Sequence, residues 1–206
     1  MMLAAFALTF ALSQEDWKPL FNGKDLEGFT VAGTVRWKVE DGVIVGGQEG
    51  DPKRSGFLCT KDQFQDFELV LDFMIDEHGK YNSGVYLRND PMPPGNQTGY
   101  QVNIGRAEAK EYTGGVVVHQ DRGIRWVSTG DEKDEVRKVL EWNTMKILAK
   151  GAHLEVELNG KKIVDVTDPE SKPKFLQKGI LAFQCYGAEG HSGWVKFRNL
   201  KIREIK

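Results

Sequence analysis

The sequence has no marked excess of charge of either sign and no hydrophobic run long enough to cross a membrane. Its 206 residues include 28 basic and 30 acidic side chains, which give a formal net charge of -2. A chain so close to neutral lacks the basic surface on which nucleic-acid binding depends. The longest apolar run, residues 1–12, is well short of the roughly 20 residues of a membrane-spanning helix. We therefore expect no nucleic-acid partner and no membrane span.

Cysteine is scarce, and several common catalytic motifs are missing. The two cysteines, Cys59 and Cys185, do not form a CxxC motif, which argues against a dithiol redox centre or a zinc knuckle. Each lies in an apolar strand pattern, so a disulfide and two buried thiols are both compatible with the sequence. The chain also lacks a GxSxG elbow, a P-loop and a dinucleotide fingerprint, which argues against the enzyme classes that those motifs define.

The uncharged residues 1–12, MMLAAFALTFAL, end in the small-x-small sequence Ala11-Leu12-Ser13. This arrangement is typical of a secretory signal peptide, although the usual basic segment before it is missing. The alternatives are a short N-terminal anchor and a start codon assigned downstream of the true one. We expect residues 1–13 to be a signal peptide and the mature protein to be secreted or periplasmic. Residues 14–206 would then form a single domain.

Alternation of apolar and polar residues runs through the rest of the chain and predicts about a dozen β-strands. Along residues 67–75, FELVLDFMI, the odd-numbered positions are all large and apolar, while Glu68 and Asp72 lie on the other face. Strands with one apolar face bury it by packing two sheets face to face. We therefore predict an all-β jelly-roll sandwich of two antiparallel sheets. The proline-rich residues 90–97 and the charged residues 131–138 are expected to be loops.

Asn159-Gly160 is a strong signal for a two-residue hairpin turn between strands 153–158 and 161–166. A regular register would pair Val156 with Ile163 on one face and Glu157 with Lys162 on the other.

Polar side chains on the outer strand faces are the candidates for function. Amides and carboxylates can pair with sugar hydroxyls in a bidentate manner, and aromatic rings can add stacking platforms. The strand pattern places these polar groups on outer faces: Glu68, Asp72, Asn82, Tyr86, Arg88, Gln101, Asn103 and His119. Trp126, Trp142 and Trp194 are the candidate platforms. The alternative is that these side chains merely form solvated strand faces, although Arg88 and Gln101 are not favoured in strands.

Glu68 and Asp72 do not have the spacing of a glycosidase carboxylate pair. They lie four residues apart on one strand face, which is about 13 Å at ~3.3 Å per residue. That separation exceeds the range for retaining and for inverting glycosidases.

An ordered series of short motifs resembles the 3-keto-disaccharide hydrolase domain family, long catalogued as a domain of unknown function in the concanavalin A-like lectin/glucanase superfamily. The series covers nearly all of the mature chain. It begins with the segments at residues 17–29 (WKPLFNGKDLEGF), 37–44 (WKVEDGVI), 67–69 (FEL) and 82–88 (NSGVYLR). It continues with those at residues 99–102 (GYQV), 141–144 (EWNT), 158–160 (LNG) and 197–204 (FRNLKIRE).

The resemblance implies a concanavalin A-like jelly roll and a secreted bacterial protein that acts on 3-keto glycosides. Two positions depart from the family pattern. After Gly99-Tyr100, members commonly carry an acidic residue and then a Gln two positions on, whereas this chain has Gln101 and Asn103. Members often have a His-Gly pair near the end, where this chain reads FQCYG over residues 183–187. If the missing carboxylate and imidazole do the chemistry, this chain has changed substrate or kept only binding.

In the reaction that the family implies, a ketone at C3 acidifies the hydrogen on C2, and the enolate formed by its removal expels the aglycone from C1. The protein would need a base for the C2 proton, a donor for the enolate oxygen and an acid for the leaving oxygen. Arg88 and Gln101 are the candidate donors, and His119 is an attractive base because an imidazole titrates near neutrality. The full set of candidate catalytic residues is Arg88, Gln101, His119, Glu68 and Asp72, with Tyr186 as a further base candidate. The candidate substrate-binding residues are Asn82, Tyr86, Asn103, Trp142, Gln184 and Tyr186.

The remaining histidines and acidic residues have no metal-site spacing. His191 lies in a glycine-rich loop that could close over a groove, and His78 and His153 are expected at the surface. No cofactor is expected, although a structural calcium ion in an acidic loop is compatible with the sequence.

Two functions from different classes are open: an enzyme that cleaves 3-keto glycosides, and a lectin-like carbohydrate-binding module on the same fold. A protein-interaction domain of the laminin-G type rests on fold analogy alone. A small carbohydrate is the expected ligand, and the oligomeric state is not indicated by the sequence.

Overall fold

The computed structural model describes residues 17–47, 55–77, 82–90, 98–120, 123–186 and 193–205. The predicted signal peptide (1–13), His78, residues 91–97 of the proline-rich loop and the His191 loop (187–192) lie outside these ranges. Within them, the chain forms fifteen β-strands and two short 3-10 helices. No helix of the described ranges is long and apolar enough to cross a membrane.

Two antiparallel sheets form the fold, as predicted. Sheet A has the order β13-β12-β11-β6-β15-β4-β3, with β1 paired to β15, and sheet B has the order β10-β9-β8-β7-β14-β5-β2. The strands of sheet A are β1 (Lys18–Pro19), β3 (Trp37–Glu40), β4 (Val43–Gly47), β6 (Phe67–Ile75), β11 (Asn143–Lys150), β12 (His153–Leu158), β13 (Lys161–Thr167) and β15 (Trp194–Glu204). Those of sheet B are β2 (Phe29–Gly33), β5 (Ser55–Thr60), β7 (Asn82–Asn89), β8 (Gly99–Ile104), β9 (Val116–Gln120), β10 (Gly123–Ser128) and β14 (Ile180–Tyr186). The 3-10 helices span Ala107–Ala109 and Pro173–Leu176.

The hydrophobic core lies between the sheets and follows the alternation seen in the sequence. On β6, Phe67, Leu69, Leu71 and Phe73 are completely buried. The facing sheet contributes further buried side chains to the same cluster, among them Val85. Burial of each such side chain stabilises the fold by about 1.5–3 kcal/mol relative to exposure. Because the inner faces are used in this way, the polar positions of each strand point outward.

The Asn159-Gly160 hairpin forms with one change from the expected register. Both turn residues have positive φ, 50° for Asn159 and 82° for Gly160, as a type I′ turn requires. Glu157 pairs with Lys162 as predicted. The predicted pairing of Val156 with Ile163 is wrong: a bulge between positions 156 and 157 pairs Val156 with Val164 instead. The extra residue of the bulge shifts the register by one position.

The two cysteines lie on opposite faces of sheet B, and no disulfide joins them. Ala182 of β14 pairs with Cys59 of β5, whereas Cys185 pairs with Gly56. Cys185 therefore points into the main core, and Cys59 joins a smaller apolar cluster on the outer side. Burial raises the pKa of the Cys59 thiol to about 11, so this thiol is protonated and poorly reactive at neutral pH.

Candidate functional site

A hollow of about 270 Å³ opens on the outer face of sheet B. This volume is enough for one sugar ring. Five adjacent strands, β14, β7, β8, β9 and β10, form its floor and walls. The lining residues are Asn82, Tyr86, Gln101, Asn103, Glu111, Val117, His119, Ile124, Trp126, Gln184 and Tyr186.

The strand register explains why these side chains meet. Tyr86 pairs with Gln101, Gln101 pairs with Val117, and Val117 pairs with Trp126, so the four side chains form one row across the sheet. Residues two positions away along a strand share the same face. The neighbouring row therefore brings Asn103 of β8 beside Gln184 of β14, with Gly84 of β7 between them.

Glycines in the floor make room for two of the lining side chains. A Cβ atom at Gly84 would overlap the amide of Gln101, and one at Gly115 would lie 2.5 Å from the Trp126 ring. Such approaches do not occur between real side chains. The amide of Gln101 and the indole of Trp126 therefore lie close to the backbone of these glycines, which deepens the hollow.

A chain of hydrogen bonds runs along the floor from an imidazole to a carboxylate. His119 Nε2 lies 2.6 Å from Gln101 Oε1. Gln101 Nε2 donates to Asn103 Oδ1 (3.2 Å), and Asn103 Nδ2 donates to Glu111 Oε2 (3.3 Å). Gln101 Nε2 also donates to Gln184 Oε1 at 3.1 Å. The two amide hydrogens of Gln101 are thus directed at protein acceptors rather than into the hollow.

Tyr86 and His119 form the second close pair of the site. The Tyr86 hydroxyl oxygen lies 3.1 Å from His119 Nε2, and the two ring centroids are 5.0 Å apart. Burial raises the pKa of Tyr86, and the nearby Glu111 carboxylate acts in the same direction. The phenol therefore keeps its proton, and can donate a hydrogen bond, throughout the neutral range.

The two other titratable groups at the floor are also shifted by burial. Desolvation lowers the pKa of His119, so its imidazole is neutral at neutral pH. Desolvation raises the pKa of Glu111, while hydrogen bonds from Asn82 and Asn103 oppose that shift. Shifted titratable groups that converge in one hollow are typical of functional sites.

Asn82 presents an acceptor atom with no partner in the described part of the chain. Its Oδ1 is buried and makes no hydrogen bond there, while the same side chain bonds to Glu111. A buried acceptor without a partner is costly, and a ligand hydroxyl in the hollow would satisfy it.

Apolar side chains line two sides of the hollow. Ile124 and Trp126 of β10 lie at one edge, and Tyr186 of β14 lies at the opposite side. Ile124 is 58% exposed and Tyr186 is 38% exposed. The Trp126 ring is held edge-on to Tyr112 at 5.5 Å. A polar floor beside an indole suits a sugar ring, which has hydroxyls at its rim and C–H groups on its faces.

The structure brings together seven of the eleven residues that the sequence predicted for the site. These are Gln101, His119, Asn82, Tyr86, Asn103, Gln184 and Tyr186. The other four, Arg88, Glu68, Asp72 and Trp142, lie outside the hollow.

Arg88 is turned away from the hollow by a break in the strand alternation. It has a positive φ of 57°, and the pairing of β7 with β14 shifts register between Ile180 and Ala182. Its buried guanidinium donates to the carbonyl oxygens of Gln65 and Gly151 and pairs with Asp66 at 3.1 Å. The expectation that Arg88 lies beside Gln101 is therefore wrong, because the bulge reverses the side on which its side chain lies.

Glu68, Asp72 and Trp142 belong to the outer face of sheet A. Glu68 pairs with Lys146 at 2.8 Å and with Arg203. Asp72 accepts hydrogen bonds from Thr144, Arg198 and Asn199. The ring of Trp142 is covered by the Arg198 guanidinium at 4.0 Å. The strand pattern correctly put Glu68 and Asp72 on an outer face, but it could not say that the face belongs to the other sheet.

Glu111 is the charged lining residue that the sequence did not predict. It follows the 3-10 helix Ala107–Ala109 and comes from a loop, where no strand alternation indicates the direction of a side chain. The available signal was its place between two strands that both carry site residues, β8 and β9. The hollow therefore contains a carboxylate and an imidazole, although both are missing at the family positions noted in the sequence.

Among the described residues, one cluster has the geometry to hold a metal ion: His153, Glu155 and Asp165. Lys162 Nζ already lies 2.7 Å from Glu155 and 3.0 Å from Asp165. The ammonium group occupies the position of a cation, and the cluster lies on sheet A, away from the hollow.

Comparison with known proteins points to carbohydrates. Residues 16–203 match the model of the 3-keto-alpha-glucoside-1,2-lyase-like domain. No protein with a curated function matches the sequence at a significant level.

Several solved structures share the fold. A proposed glycosyl hydrolase from Parabacteroides distasonis is 27% identical, with a TM-score of 0.64 over 92% of this chain and 99% of that one. The carbohydrate-binding module CBM66 from Bacillus subtilis is 17% identical, with a TM-score of 0.63 over 86% and 96%. The exoplasmic/lumenal domain of VIP36, solved with Ca²⁺ and Man3GlcNAc, is 13% identical, with a TM-score of 0.62 over 90% and 87%. The family match and the 27% identical structure together support a carbohydrate-related function, and the two more distant likenesses show the fold.

Proposed function

The chain belongs to the family of 3-keto-alpha-glucoside-1,2-lyase-like domains, and from that membership we propose that it cleaves the glycosidic bond of 3-keto glycosides in the hollow on sheet B. The observation that carries the proposal is the contact between His119 and Tyr86 at the floor of a sugar-sized hollow. It places a neutral imidazole and a protonated phenol side by side.

The chemistry follows from the ketone at C3. A carbonyl group acidifies the adjacent C2–H, because the electron pair left on C2 is delocalised onto the carbonyl oxygen as an enolate. When the enolate collapses, a C1–C2 double bond forms and the C1–O bond breaks, so the aglycone leaves with that electron pair. Addition of water across the double bond then gives a net hydrolysis.

His119 is the proposed base. The burial that lowers its pKa keeps the imidazole neutral at neutral pH, which is the form that accepts a proton. The proton comes from C2, which is bonded to C1, so the resulting imidazolium lies close to the leaving oxygen on C1 and can return the proton to it. One group would thus serve as base and then as acid.

Tyr86 is the proposed donor to the enolate oxygen, in place of Arg88. Its raised pKa keeps the hydroxyl hydrogen in place, and a fixed donor at a developing negative charge lowers the barrier. Gln101 does not fill this role because its amide hydrogens are directed at Asn103 and Gln184.

The remaining lining groups would bind the sugar. The unpartnered Oδ1 of Asn82 can accept a hydrogen bond from a ring hydroxyl. Trp126 offers a ring over which a pyranose face can stack.

A direct test incubates the full chain with 3-keto-trehalose and, as the matched control, with trehalose, which lacks the ketone. We expect release of glucose together with 3-keto-glucose or its unsaturated precursor from the ketone alone. The His119→Ala and Tyr86→Phe variants should each lose at least about 100-fold in kcat. Equal rates for these variants and the unchanged protein would contradict the assignment.

A lectin-like binding module is the second candidate, and the open, aromatic-edged hollow favours it. In that case the 3-keto sugar would bind, as measured by calorimetry, without any product. Binding that is unaffected by His119→Ala would also support the module.

We further propose that the protein acts outside the cytoplasm, on the basis of residues 1–13. Expression of the full chain in a bacterium, followed by fractionation and N-terminal sequencing, tests this. A mature chain that begins at residue 14 in the periplasm or medium is expected, and an intact chain in the cytoplasm would contradict it.

A further inference from the structure

The Glu111 carboxylate has no part in the proposed chemistry, yet it organises the floor of the hollow. It is partly buried between two amide side chains, Asn82 and Asn103, and both donate hydrogen bonds to it. A carboxylate can only accept. Its neighbours must therefore each turn their NH₂ group toward it, and this constraint passes to the next residues along the floor.

The first consequence concerns Asn103. Its Nδ2 faces Glu111 Oε2 at 3.3 Å and the Tyr112 carbonyl oxygen at 3.5 Å, and both of these atoms are acceptors. Asn103 Oδ1 is thereby turned toward Gln101, where it can only accept.

The second consequence concerns Gln101. Its NH₂ group meets three acceptors: Asn103 Oδ1 at 3.2 Å, Gln184 Oε1 at 3.1 Å and the Ser83 carbonyl oxygen at 3.5 Å. Gln101 Oε1 must then face His119 Nε2, at 2.6 Å. A carbonyl oxygen cannot donate, so the hydrogen of this bond has to belong to the imidazole.

We infer that Glu111 is a positioning residue which, through Asn103 and Gln101, holds His119 as its Nε2–H tautomer and so makes Nδ1 the nitrogen that accepts a proton. The tautomer follows from donor and acceptor matching alone. Its importance for catalysis rests on the proposed function, because only there does Nδ1 receive the C2 proton.

Glu111 has a second effect through Asn82. Because the Asn82 NH₂ group is turned toward Glu111, its Oδ1 is left without a protein partner in the described part of the chain. One carboxylate thus prepares the base on one side and an acceptor for a ligand hydroxyl on the other.

The experiment is nuclear magnetic resonance of the ¹⁵N-labelled full chain, with long-range ¹H–¹⁵N spectra of the imidazoles recorded at about pH 8, where His119 is neutral. Variants that replace each of the four histidines in turn assign the signals. The test variant is Glu111→Gln, because an amide at this position can donate as well as accept. The matched control is Glu108→Gln, an exposed residue of the adjacent 3-10 helix that loses the same charge.

We expect the unchanged protein and Glu108→Gln to show His119 protonated at Nε2 alone. In Glu111→Gln the amides of Asn103 and Gln101 can reverse, so the ratio of Nε2–H to Nδ1–H should fall about tenfold, which corresponds to ~1.4 kcal/mol. A free imidazole already favours Nε2–H, so the test of the inference is the change in this ratio between the unchanged protein and Glu111→Gln. An Nδ1–H signal in the unchanged protein, or a ratio that does not change in Glu111→Gln, would overturn the inference.

A rescue variant distinguishes a change in amide orientation from a general disturbance of the site. In the Glu111→Gln background, Asn103→Asp places an acceptor-only carboxylate one step closer to His119 and leaves the net charge of the pair unchanged. Gln101 must again turn its NH₂ group toward position 103, and the Nε2–H form should return. If Glu111→Gln does not fold, Asn103→Leu removes the hydrogen bonds that connect Glu111 with Gln101. It should lower the ratio of Nε2–H to Nδ1–H in the same way.

These spectra need no substrate, so they stand or fall separately from the proposed reaction. If 3-keto glycosides are turned over, Glu111→Gln should lower kcat along with the tautomer ratio, and Glu108→Gln should change neither. If there is no turnover, the tautomer shift remains measurable and still decides the role of Glu111.

Discussion

The amide side chain of Gln101 lies directly over Gly84, and its Cγ and Cδ atoms would be only 3.0 Å from a Cβ atom at position 84. Gly84 therefore sets the height at which Gln101 crosses the floor of the hollow. From that height Gln101 reaches His119, Asn103 and Gln184.

Gly84→Ala is expected to displace Gln101 without unfolding the protein. The backbone at Gly84 does not have the positive φ that favours glycine, and the overlap is with a flexible side chain. We expect Tm to change by only a few degrees, while kcat, or sugar binding if the protein is a module, falls about tenfold or more. Gly28→Ala is the matched control, since its Cβ atom would meet only the Leu20 carbonyl oxygen at 3.4 Å. Equal losses in both variants would contradict this role of Gly84.

Trp126→Ala should weaken sugar binding, because Trp126 is the indole that lines the hollow. The loss of one stacking ring corresponds to about 1 kcal/mol beyond the area it buries, or roughly a fivefold to tenfold rise in Kd or KM. Trp142→Ala serves as the comparison, since Trp142 is stacked against Arg198 on sheet A. Calorimetry or steady-state kinetics would measure Kd or KM for both variants. A larger effect from Trp142→Ala would place the sugar on sheet A and contradict the assignment.

The activity should have a broad pH plateau with an acidic limb. The pKa of His119 is lowered below its ordinary value of 6.5, so the neutral base persists as the pH falls through that value. It is lost only when the pH passes through the lowered pKa. Protonation of Glu111, whose pKa is raised above 4.5, should add to the fall. The raised pKa of Tyr86 places the alkaline limb above pH 10.

The pH profile of kcat/KM for a 3-keto glycoside, recorded from about pH 4 to pH 11, would test this. The lowered pKa of His119 also predicts an effect on the free energy of unfolding, because the folded protein favours the neutral imidazole. The contribution of His119 to that free energy is complete above pH 6.5 and is lost as the pH falls through the lowered pKa. An acidic limb centred above pH 6.5 would rule out His119 as the base.

Arg88→Ala should act on stability rather than on chemistry. The substitution removes donors from two backbone carbonyl oxygens and from Asp66. Loss of a buried charged partner of this kind costs about 3 kcal/mol, visible as a shift of the denaturant midpoint with unchanged slope. Arg198→Ala breaks a more exposed pair with Asp72 and should cost less than about 1 kcal/mol. If Arg88→Ala kept full stability and lost all turnover, Arg88 would be a catalytic residue and its structural role would be contradicted.

The polar floor was largely predictable, because side chains alternate between the two faces of a strand. Gln101 and Asn103 lie two residues apart and were expected to share a face, and they do. Alternation failed at Arg88, where a bulge with positive φ reverses the side chain. A bulge depends on how two distant strands pair, and no pattern in the neighbouring sequence predicts this one.

Other features depended on contacts between distant segments. Glu68 and Gln101 both lie on outward faces, but their strands belong to different sheets, and strand order is a property of the whole fold. Glu111 reaches the hollow from a loop, where a side chain's direction is set by the neighbours that it meets.

Local chemistry was therefore sufficient for the strands, the Asn159-Gly160 turn and the two-sheet class, because backbone periodicity and turn conformation act over a few residues. Which outward face carries the hollow, and which carboxylate lies beside its amide side chains, came from strand order, one bulge and the return of one loop. These are long-range contacts, and they are formed only when the two sheets have packed together.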